Sequence, residues 1–261
     1  MPRRSAAAKN PRPTRVIITG KESSAFLPTL KKHGFEVVKS AKNADLVITY
    51  GGDGSLLGAD RKYPNLPKLA IRSSEEYLKC DEHADSAVLG RVASGTHTRT
   101  MLSRLQAETG SASLSGINDI VFHNEIFTSA VRYRVRIDGE YYSDEIVGDG
   151  LVVATPFGSS AYYRAITNSV FRVGLGLAFN NSTESVNHLV LAETARIQVE
   201  VTRGPAQLIA DNNPRHIPLK AGDQFSIRLG EEKAELWEIS TIFCKKCRFR
   251  VSRRPAGSRH V

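Results

Sequence analysis

The sequence predicts an α/β lobe built on a parallel sheet, followed by a β-rich lobe. Three observations support this fold class. At 261 residues the chain exceeds the usual size of one domain. Short β-branched runs alternate with helical segments up to about residue 112, which is the pattern of a parallel sheet covered on both faces. Beyond that point strands and tight turns follow one another, and helices become scarce.

In the first lobe, residues 15–112, the strands are short apolar runs and the helices carry apolar side chains at helical spacing. Strands are predicted at 15–20, 35–38, 44–50 and 68–71, and helices at 25–34 and 55–61. The third strand runs directly into a Gly-Gly-Asp-Gly sequence. A glycine-rich turn at the end of a parallel strand is a common place for a ligand site.

In the second lobe, residues 113–235, apolar runs alternate with turn residues, and Asp138-Gly139 is a strong hairpin signal. Strands are predicted at 117–123, 130–137, 141–146, 151–154, 195–202, 207–210 and 224–229. Residues 236–243 are expected to return to the first lobe, since only a basic tail follows them.

The net charge of +9 belongs to the ends of the chain. Residues 1–15 and 244–261 carry 12 of the 36 basic residues and none of the 27 acidic ones. The remainder is slightly acidic, so nucleic-acid contact is expected only through the tails. The tails, residues 1–14 and 244–261, are predicted to be solvated and disordered, and their deletion is expected to leave ligand binding intact.

Membrane and secreted classes do not fit the chain. No window approaches the roughly 18 to 20 consecutive apolar residues of a membrane span. The start, MPRRSAAAKNPRPTR, lacks the apolar run of a secretory signal. A cytoplasmic location and the absence of a membrane partner are therefore expected.

Three cysteines, Cys80, Cys244 and Cys247, are too few for a disulfide framework and indicate a reducing compartment. Cys244 and Cys247 have zinc-ribbon spacing, but a structural zinc site needs four ligands and no second cysteine pair occurs. A metal cage of side chains is therefore not predicted. A zinc ion shared between subunits, or completed by His260, stays open as an alternative.

Residues Gly51, Gly52, Asp53, Gly54 and Ser55 form the sharpest local feature. A turn between a parallel strand and a helix presents backbone N–H groups and a positive dipole, which suit phosphate oxygens. Bare phosphate would repel a carboxylate placed there, so Asp53 is expected to hold a metal ion, a hydroxyl group or both. The alternative is an ordinary turn in which Asp53 caps the helix.

Two further segments offer polar groups for a nucleotide. The Thr-Pro-Phe-Gly-Ser-Ser-Ala-Tyr sequence at 155–162 supplies hydroxyls and backbone amides in a turn after a strand. Asn118 and Asp119 supply the donor and acceptor capacity that a ribose diol or an adenine edge requires, or cap a turn. Serine hydrolysis is not indicated, because the Gly-x-Ser-x-Gly elbow is absent.

Four segments, in order, resemble the NAD kinase family. They are the Gly-Gly-Asp-Gly turn, the Asn-Asp sequence before an apolar strand, Asp149-Gly150 with the strand and Thr-Pro-Phe-Gly-Ser-Ser-Ala-Tyr sequence that follow, and the aspartate that ends a strand at position 211. Together they cover most of residues 15–230. The resemblance implies an NAD kinase-like fold, with a Rossmann-like N-terminal α/β lobe and a β-rich, sandwich-like C-terminal lobe that binds NAD.

The resemblance also implies site residues. Asp53 would be the catalytic carboxylate near the 2′-hydroxyl of the adenosine ribose. The phosphate-binding residues would be Gly51, Gly52, Gly54, Ser55 and Arg72. The NAD-binding residues would be Asn118, Asp119, Asp149, Thr155, Ser159, Ser160, Ala161, Tyr162 and Asp211. The implied substrates are NAD with ATP or polyphosphate, Mg²⁺ would enter with ATP and not in a side-chain cage, and the implied assembly is a homodimer or homotetramer.

The sequence departs from the family at loops that line the site. The family's glycine-rich stretch after the fourth strand is replaced by charged residues at 72–79, where Arg72 could contact a phosphate or lie on the surface. Arg164, Asn180 and Asn181 also differ from the family pattern, and an asparagine follows Asp211. Two alternatives therefore stay open: a nucleotide-binding protein with weak or no kinase activity, and a superfamily kinase with another acceptor.

Overall fold

A computed structural model describes residues 10–20, 23–73, 79–110, 112–244 and 247. The chain divides into two units, one formed by residues 1–101 with 235–261 and the other by residues 102–234. The predictions for the basic tails fall largely on residues outside the described ranges. The lobe boundaries predicted from the sequence, 15–112 and 113–235, stay a prediction.

The first elements in chain order are β1 (Arg15–Thr19), α1 (Leu27–Lys32), β2 (Glu36–Val37), β3 (Leu46–Tyr50), α2 (Asp53–Lys62), β4 (Lys68–Ile71) and α3 (Asp85–Ser94). They are followed by β5 (Arg99–Thr109), β6 (Ala112–Gly116), β7 (Asp119–Asn124), β8 (Val131–Ile137), β9 (Glu140–Tyr141), β10 (Ile146–Gly148), β11 (Gly150–Ala154) and α4 (Tyr162–Thr167). The last are β12 (Leu175–Asn180), β13 (His188–Leu191), β14 (Ile197–Arg203), β15 (Ala206–Ala210), β16 (Ile217–Leu219), β17 (Gln224–Trp237) and α5 (Ser240–Phe243). Short 3-10 turns lie at Ser23–Phe26, Ala41–Asn43, Asp81–His83 and Gly158–Ser160.

The first unit contains a parallel sheet in which β1 pairs with β2 and β3, and β3 pairs with β4. The last residues of β17 pair with β4 in the same direction, Leu236 opposite Lys68. All five residues of β3 are buried, and its side chains enter different apolar clusters on the two faces of the sheet. A strand buried on both faces is what a parallel sheet with helices on each side requires, so the predicted α/β class is confirmed.

The second unit packs two antiparallel sheets face to face. One has the strand order β13-β12-β11-β7-β15-β16, and the other contains β10-β8-β14-β17, with β9 beside β8 and β5 and β6 beyond β17. The ring of Phe122, on β7, lies 5.3 Å from the ring of Tyr133 and 5.2 Å from that of Phe225, both of which belong to the other sheet. A shared core between two sheets confirms the predicted β-rich, sandwich-like class.

Several elements differ from the sequence prediction. The strand predicted at 141–146 is two short strands, β9 and β10. Helices α3, α4 and α5 and strands β5, β6, β12, β13 and β16 were not predicted. Strand β12 shows the reason. Gly174 and Gly176 weaken any local strand signal, yet a Cβ atom at Gly176 would lie 2.3 Å from the ring of Phe171. Packing therefore requires glycine at a position where strand propensity disfavours it.

Among the described residues, no helix combines the length and apolar character needed to cross a bilayer.

A buried ion pair joins α2 to β4. The Nζ of Lys68 lies 2.6 Å from Oδ1 of Asp60, and the two side chains are 1% and 3% exposed. Lys68 also donates to the carbonyl oxygen of Pro64 at 3.1 Å. Because neither charge is hydrated, each depends on the other for compensation. This pair fixes the helix that follows the glycine turn against the neighbouring strand.

We predict that Asp60→Asn lowers the free energy of unfolding by about 3–5 kcal/mol, because it leaves the Lys68 ammonium group buried without its counter-charge. The control is Arg15→Met, which removes an exposed pair with Asp45 and is expected to cost at most about 1 kcal/mol. Urea unfolding followed by circular dichroism measures both. Equal midpoints for the two variants would contradict the prediction.

Candidate functional site

The glycine turn, residues 51–54, lies between β3 and α2 and has the backbone that its sequence predicts. Gly51 has φ +146°, and a Cβ atom there would lie 2.6 Å from the Oγ of Ser55. Its N–H donates to the carbonyl oxygen of Ile71 at 3.0 Å, and Gly52 is the N-cap of α2. Only glycine adopts this backbone without strain. The turn thus ends a buried strand and begins helix α2, where the N–H of Ser55 donates to the carbonyl oxygen of Gly52 at 3.1 Å.

Asp53 is the first helical residue of α2, one position after the N-cap, so the alternative in which it is the capping residue is not observed. Its side chain is 66% exposed, whereas that of Arg72 is 18% exposed. Nη2 of Arg72 donates to Oδ1 of Asp53 at 2.8 Å. The structure therefore brings Arg72 and Asp53 together, with the guanidinium partly enclosed and the carboxylate facing solvent.

In the second unit, one carboxylate organises the turn that contains Asn118 and Asp119. Oδ1 of Asp211 accepts hydrogen bonds from the N–H groups of Asn118 at 2.8 Å and Asp119 at 3.2 Å, and Oδ2 accepts one from Ile117 at 3.0 Å. Asp211 has φ +48°, and a Cβ atom at Gly116 would lie 2.7 Å from its Oδ1. We call residues 116–119 the Asn-Asp turn. Its shape depends on the Asp211 side chain.

Asp119 begins β7 and is 6% exposed. Burial and, to a lesser extent, the nearby charge of Asp211 raise the pKa of its carboxyl group to about 7. The two aspartates therefore differ in role. Asp211 has its oxygens occupied by backbone N–H groups, whereas Asp119 is a carboxyl group whose protonation changes near neutral pH.

The turn after β11, residues 155–162, packs against the Asn-Asp turn. The hydroxyl of Thr155 donates to the carbonyl oxygen of Ile117 at 2.6 Å and accepts from the N–H of Gly158 at 3.1 Å. Ser159 is buried, with its hydroxyl 2.8 Å from the carbonyl oxygen of Pro156. A Cβ atom at Gly158 would lie 2.1 Å from the carbonyl oxygen of Asn118. Thr155 and Gly158 therefore hold the two turns together, whereas Ser159 binds within its own turn and to the carbonyl oxygen of Phe171.

Tyr162 and Asp149 lie near the same region of the second unit. The hydroxyl of Tyr162 accepts a hydrogen bond from Nδ2 of Asn180 at 3.2 Å, and Asp149 accepts one from Nδ2 of Asn181 at 3.0 Å. Burial raises the pKa of Tyr162, and the charges of Asp149 and Asp119 raise it further. Ser160 is half-buried and Ala161 is exposed beside them. The two asparagines were noted in the sequence only as departures, and their contacts could not be inferred from it.

The prediction that the chain has no second pair of metal ligands is wrong. Cys80 and His83 lie against Cys244 and Cys247, and the four potential ligand atoms are all within 4.8 Å of one another. The chain has no second cysteine pair, and the second pair of ligands consists of a cysteine and a histidine. Cys244 and Cys247 are consequently part of the first unit, and His260 lies outside the described residues.

We predict that Asp119 makes folding pH-dependent. In the folded chain its pKa is raised from 3.8 to about 7. Between these values the folded state holds a proton that the unfolded state has released, so the free energy of unfolding falls as pH rises from about 4 to about 7. The amide side chain of the Asp119→Asn variant cannot ionise, so its free energy of unfolding does not fall in this way. Relative to the wild type, the variant should gain about 2–3 kcal/mol between about pH 5 and about pH 8.

The measurement is urea unfolding at both pH values. The matched control is Asp144→Asn, at an exposed position of the same unit, whose difference from the wild type should stay constant. A constant difference for Asp119→Asn as well would show that Asp119 is ionised throughout this pH range.

Comparison with known proteins matches this fold and these segments to one family. Residues 117–239 match the family model described as "ATP-NAD kinase C-terminal domain". An NAD kinase from Koribacter versatilis (strain Ellin345) is 30% identical over 248 residues, which is 89% of this chain and 86% of that protein. An NAD kinase from Pseudomonas fluorescens (strain SBW25) is 37% identical over 127 residues, which is 45% of this chain and 43% of that protein.

Two solved structures share the fold at 18% sequence identity. Yeast NADH kinase, solved in complex with NADH, matches with a TM-score of 0.74 over 92% of this chain and 88% of its own. An NAD kinase from Archaeoglobus fulgidus, solved in complex with ATP, matches with a TM-score of 0.70 over 91% of this chain and 98% of its own. With a sequence match to the Koribacter protein that spans nearly the whole chain, the protein belongs to the NAD kinase family, a family of phosphotransferases.

Proposed function

We propose that this chain is an NAD kinase, which transfers the γ-phosphoryl group of ATP, or a phosphoryl group of polyphosphate, to the 2′-hydroxyl of the adenosine ribose of NAD and so forms NADP. Family membership supports the reaction class. Two structural neighbours, one solved with ATP and one with NADH, support the proposed ligand classes. The observation that carries the proposal is the exposed Asp53 carboxylate on the glycine turn, beside the Arg72 guanidinium.

The glycine turn would bind the phosphates of the donor. Gly51, Gly52 and Gly54 leave no side chain to block the approach of phosphate oxygens, and Ser55 adds a hydroxyl in the first turn of α2. The N-terminal dipole of the helix favours negative charge at this position. Arg72 adds a permanent positive charge, which can neutralise charge that develops on the transferred group.

Asp53 would act on the acceptor. Its carboxylate accepts the hydrogen of the 2′-hydroxyl group and orients the oxygen for attack. The 2′-oxygen forms a bond to the γ-phosphorus, the bond from that phosphorus to ADP breaks, and the hydroxyl proton passes to Asp53. Arg72 holds the carboxylate before substrate binds. Phosphoryl transfer depends mainly on positioning and charge neutralisation, so a single carboxylate is sufficient as the acid-base group.

Mg²⁺ would enter with ATP. The carboxylate of Asp53 is the oxygen ligand that the described residues of the glycine turn offer, and Mg²⁺ is commonly bound by one or two carboxylates together with substrate phosphates. The turn therefore fits a metal ion that is held largely by the donor. When bound, the ion would neutralise charge on the phosphates.

In the second unit, the Asn-Asp turn would bind NAD. The Asn118 side chain and the Asp119 carboxyl group would contact the adenosine portion, with Asp149 and Tyr162 nearby and the backbone of Ser160 and Ala161 beside them. Thr155, Ser159 and Asp211 would act as positioning residues, because their polar groups already bind the backbone of these turns.

The proposal includes an assembly and a location. The family resemblance favours a homodimer or homotetramer, and the three free cysteines favour a reducing compartment such as the cytoplasm. Size-exclusion chromatography with light scattering measures the oligomeric state directly.

We predict that Asp53→Asn lowers kcat for NADP formation by about 10²–10⁴, because the amide cannot accept the hydroxyl proton. The affinity for NAD should change little. The assay incubates purified protein with NAD, Mg²⁺ and either ATP or polyphosphate, and couples NADP to an NADP-specific dehydrogenase. Asp144→Asn, at an exposed position of the other unit, is the control and should retain full activity.

The same assay separates the two alternatives. NAD binding by the wild-type protein without NADP formation from either donor would favour a nucleotide-binding protein with weak or no kinase activity. The replacement of the family glycines at 72–79 is consistent with that alternative. Neither NAD binding nor NADP formation, with ATP hydrolysis retained, would favour a kinase with another acceptor. Full activity of Asp53→Asn would refute the proposed role of this carboxylate.

We also predict that the affinity for NAD rises with pH through about 7. The hydroxyl and amino groups of adenosine are donors, so they bind the ionised Asp119 carboxylate. Because the pKa of this group is raised, binding at lower pH must also remove its proton, which costs free energy. Binding at about pH 6 should be roughly ten-fold weaker than at about pH 8. In Asp119→Asn the affinity should be lower and independent of pH. Isothermal titration calorimetry in two buffers tests this, and a pH-independent wild-type affinity would contradict it.

A further inference from the structure

Four side chains of the first unit form a compact cluster that the proposed reaction does not use. Cys80 precedes the 3-10 turn Asp81–His83 and His83 is its last residue, and Cys244 and Cys247 follow α5. Cys80 and His83 are buried, 6% and 5% exposed, and the two other cysteines are half-buried. The chain thus brings together two short pairs, Cys-x-x-His and Cys-x-x-Cys, which are more than 150 residues apart in sequence.

The distances in this cluster match the edges of a tetrahedron around a metal ion. The Sγ of Cys80 lies 3.6 Å from the Sγ of Cys247 and 3.9 Å from that of Cys244. Nδ1 of His83 lies 3.2 Å from the Sγ of Cys80 and 3.6 Å from that of Cys247. Zinc bonds of about 2.3 Å to sulfur and about 2.0–2.1 Å to nitrogen give tetrahedral edges of about 3.8 Å between sulfurs and about 3.5 Å between sulfur and nitrogen.

A disulfide does not account for the cluster. A disulfide bond requires sulfurs about 2.05 Å apart, and all three cysteines are free. Three thiols and an imidazole that converge on one point are instead the ligand set of a structural zinc site of the Cys₃His type.

We propose that Cys80, His83, Cys244 and Cys247 bind one zinc ion. The four side chains complete a tetrahedral coordination shell and leave no position for water or substrate, so the ion has a structural role and no catalytic one. Zinc is favoured over magnesium or calcium because the ligands are sulfur and imidazole nitrogen, without a carboxylate.

Neighbouring groups are arranged as the outer shell of such a site. Nε2 of His83 lies 3.1 Å from the Oγ of Ser240, so the imidazole can donate its Nε2–H to this hydroxyl and leave Nδ1 for the metal. The backbone N–H of Cys80 points to the Sγ of Cys247 at 3.4 Å. Hydrogen bonds of this kind orient the ligands and stabilise the negative charge of a thiolate.

The site would join the C-terminal segment to the chain that follows β4. Residues 240–243 are already attached to this strand, because the hydroxyl of Thr241 donates to the carbonyl oxygen of Ala70 at 3.0 Å. Cys80 lies eight residues after Arg72. A zinc ion at this site would therefore connect Cys80, the residue that follows the 72–79 segment, to the C-terminal segment that is bound to β4.

The first test is the metal content of the full-length, untagged protein, measured by inductively coupled plasma mass spectrometry. We expect about one zinc ion per chain in the wild type. Replacement of zinc by Co²⁺ should produce the intense visible absorption and sulfur-to-cobalt charge transfer of a tetrahedral thiolate site. Reduced wild-type protein that contains no zinc and takes up neither Zn²⁺ nor Co²⁺ would overturn the proposal, as would a native disulfide between any two of the cysteines.

Variants assign the ligands. Cys80→Ser and His83→Ala should lose zinc and melt at a lower temperature, whereas His83→Cys should retain zinc as a four-cysteine site and melt near the wild-type temperature. The control His216→Ala removes an exposed histidine of the other unit and should change neither property.

Ser240→Ala should weaken zinc binding by about 10–100-fold in competition with a chelator. Full zinc retention in both Cys80→Ser and His83→Ala would refute the ligand set.

Discussion

The side chain of Asp211 determines the shape of the segment that would recognise the dinucleotide. Its two oxygens accept three consecutive backbone N–H groups, from residues 117–119. These bonds hold the turn in place before any ligand binds, and Gly116 and Gly158 allow the close approach. The carboxyl group of Asp119 is thereby kept in a buried position, where its pKa is raised. The position of the Asp119 carboxyl group therefore depends on Asp211, whose own oxygens already accept backbone hydrogen bonds.

The first unit contains two ion pairs that differ in burial. Lys68 and Asp60 are buried and join α2 to β4. Arg72 and Asp53 lie at the other end of the same two elements, with the Arg72 side chain 18% exposed and the Asp53 side chain 66% exposed. The buried pair therefore contributes to the fold, whereas the carboxylate of the second pair faces solvent, where the proposed reaction would need it.

Strands β3, β8 and β11 could be predicted from the sequence because they are continuous apolar or alternating runs. The Asp138-Gly139 hairpin was predicted as well, and both residues have positive φ. Strand β12 was missed, since its Gly176 is required by the contact with Phe171 and not by any local preference. The Gly-Gly-Asp-Gly turn could be located, but the pairing of Asp53 with Arg72 could not.

By itself the sequence determined the fold class, the family and the backbone of the glycine turn, because these depend on local pattern and on residues that only glycine can replace. The tertiary structure decided which polar groups bind backbone groups and which do not: Ser159 and Asp211 bind backbone groups, whereas Asp119 is a buried carboxyl group with a raised pKa. It also placed Cys80 and His83 beside Cys244 and Cys247. Contacts between residues so distant in the chain arise from packing, and no local spacing encodes them.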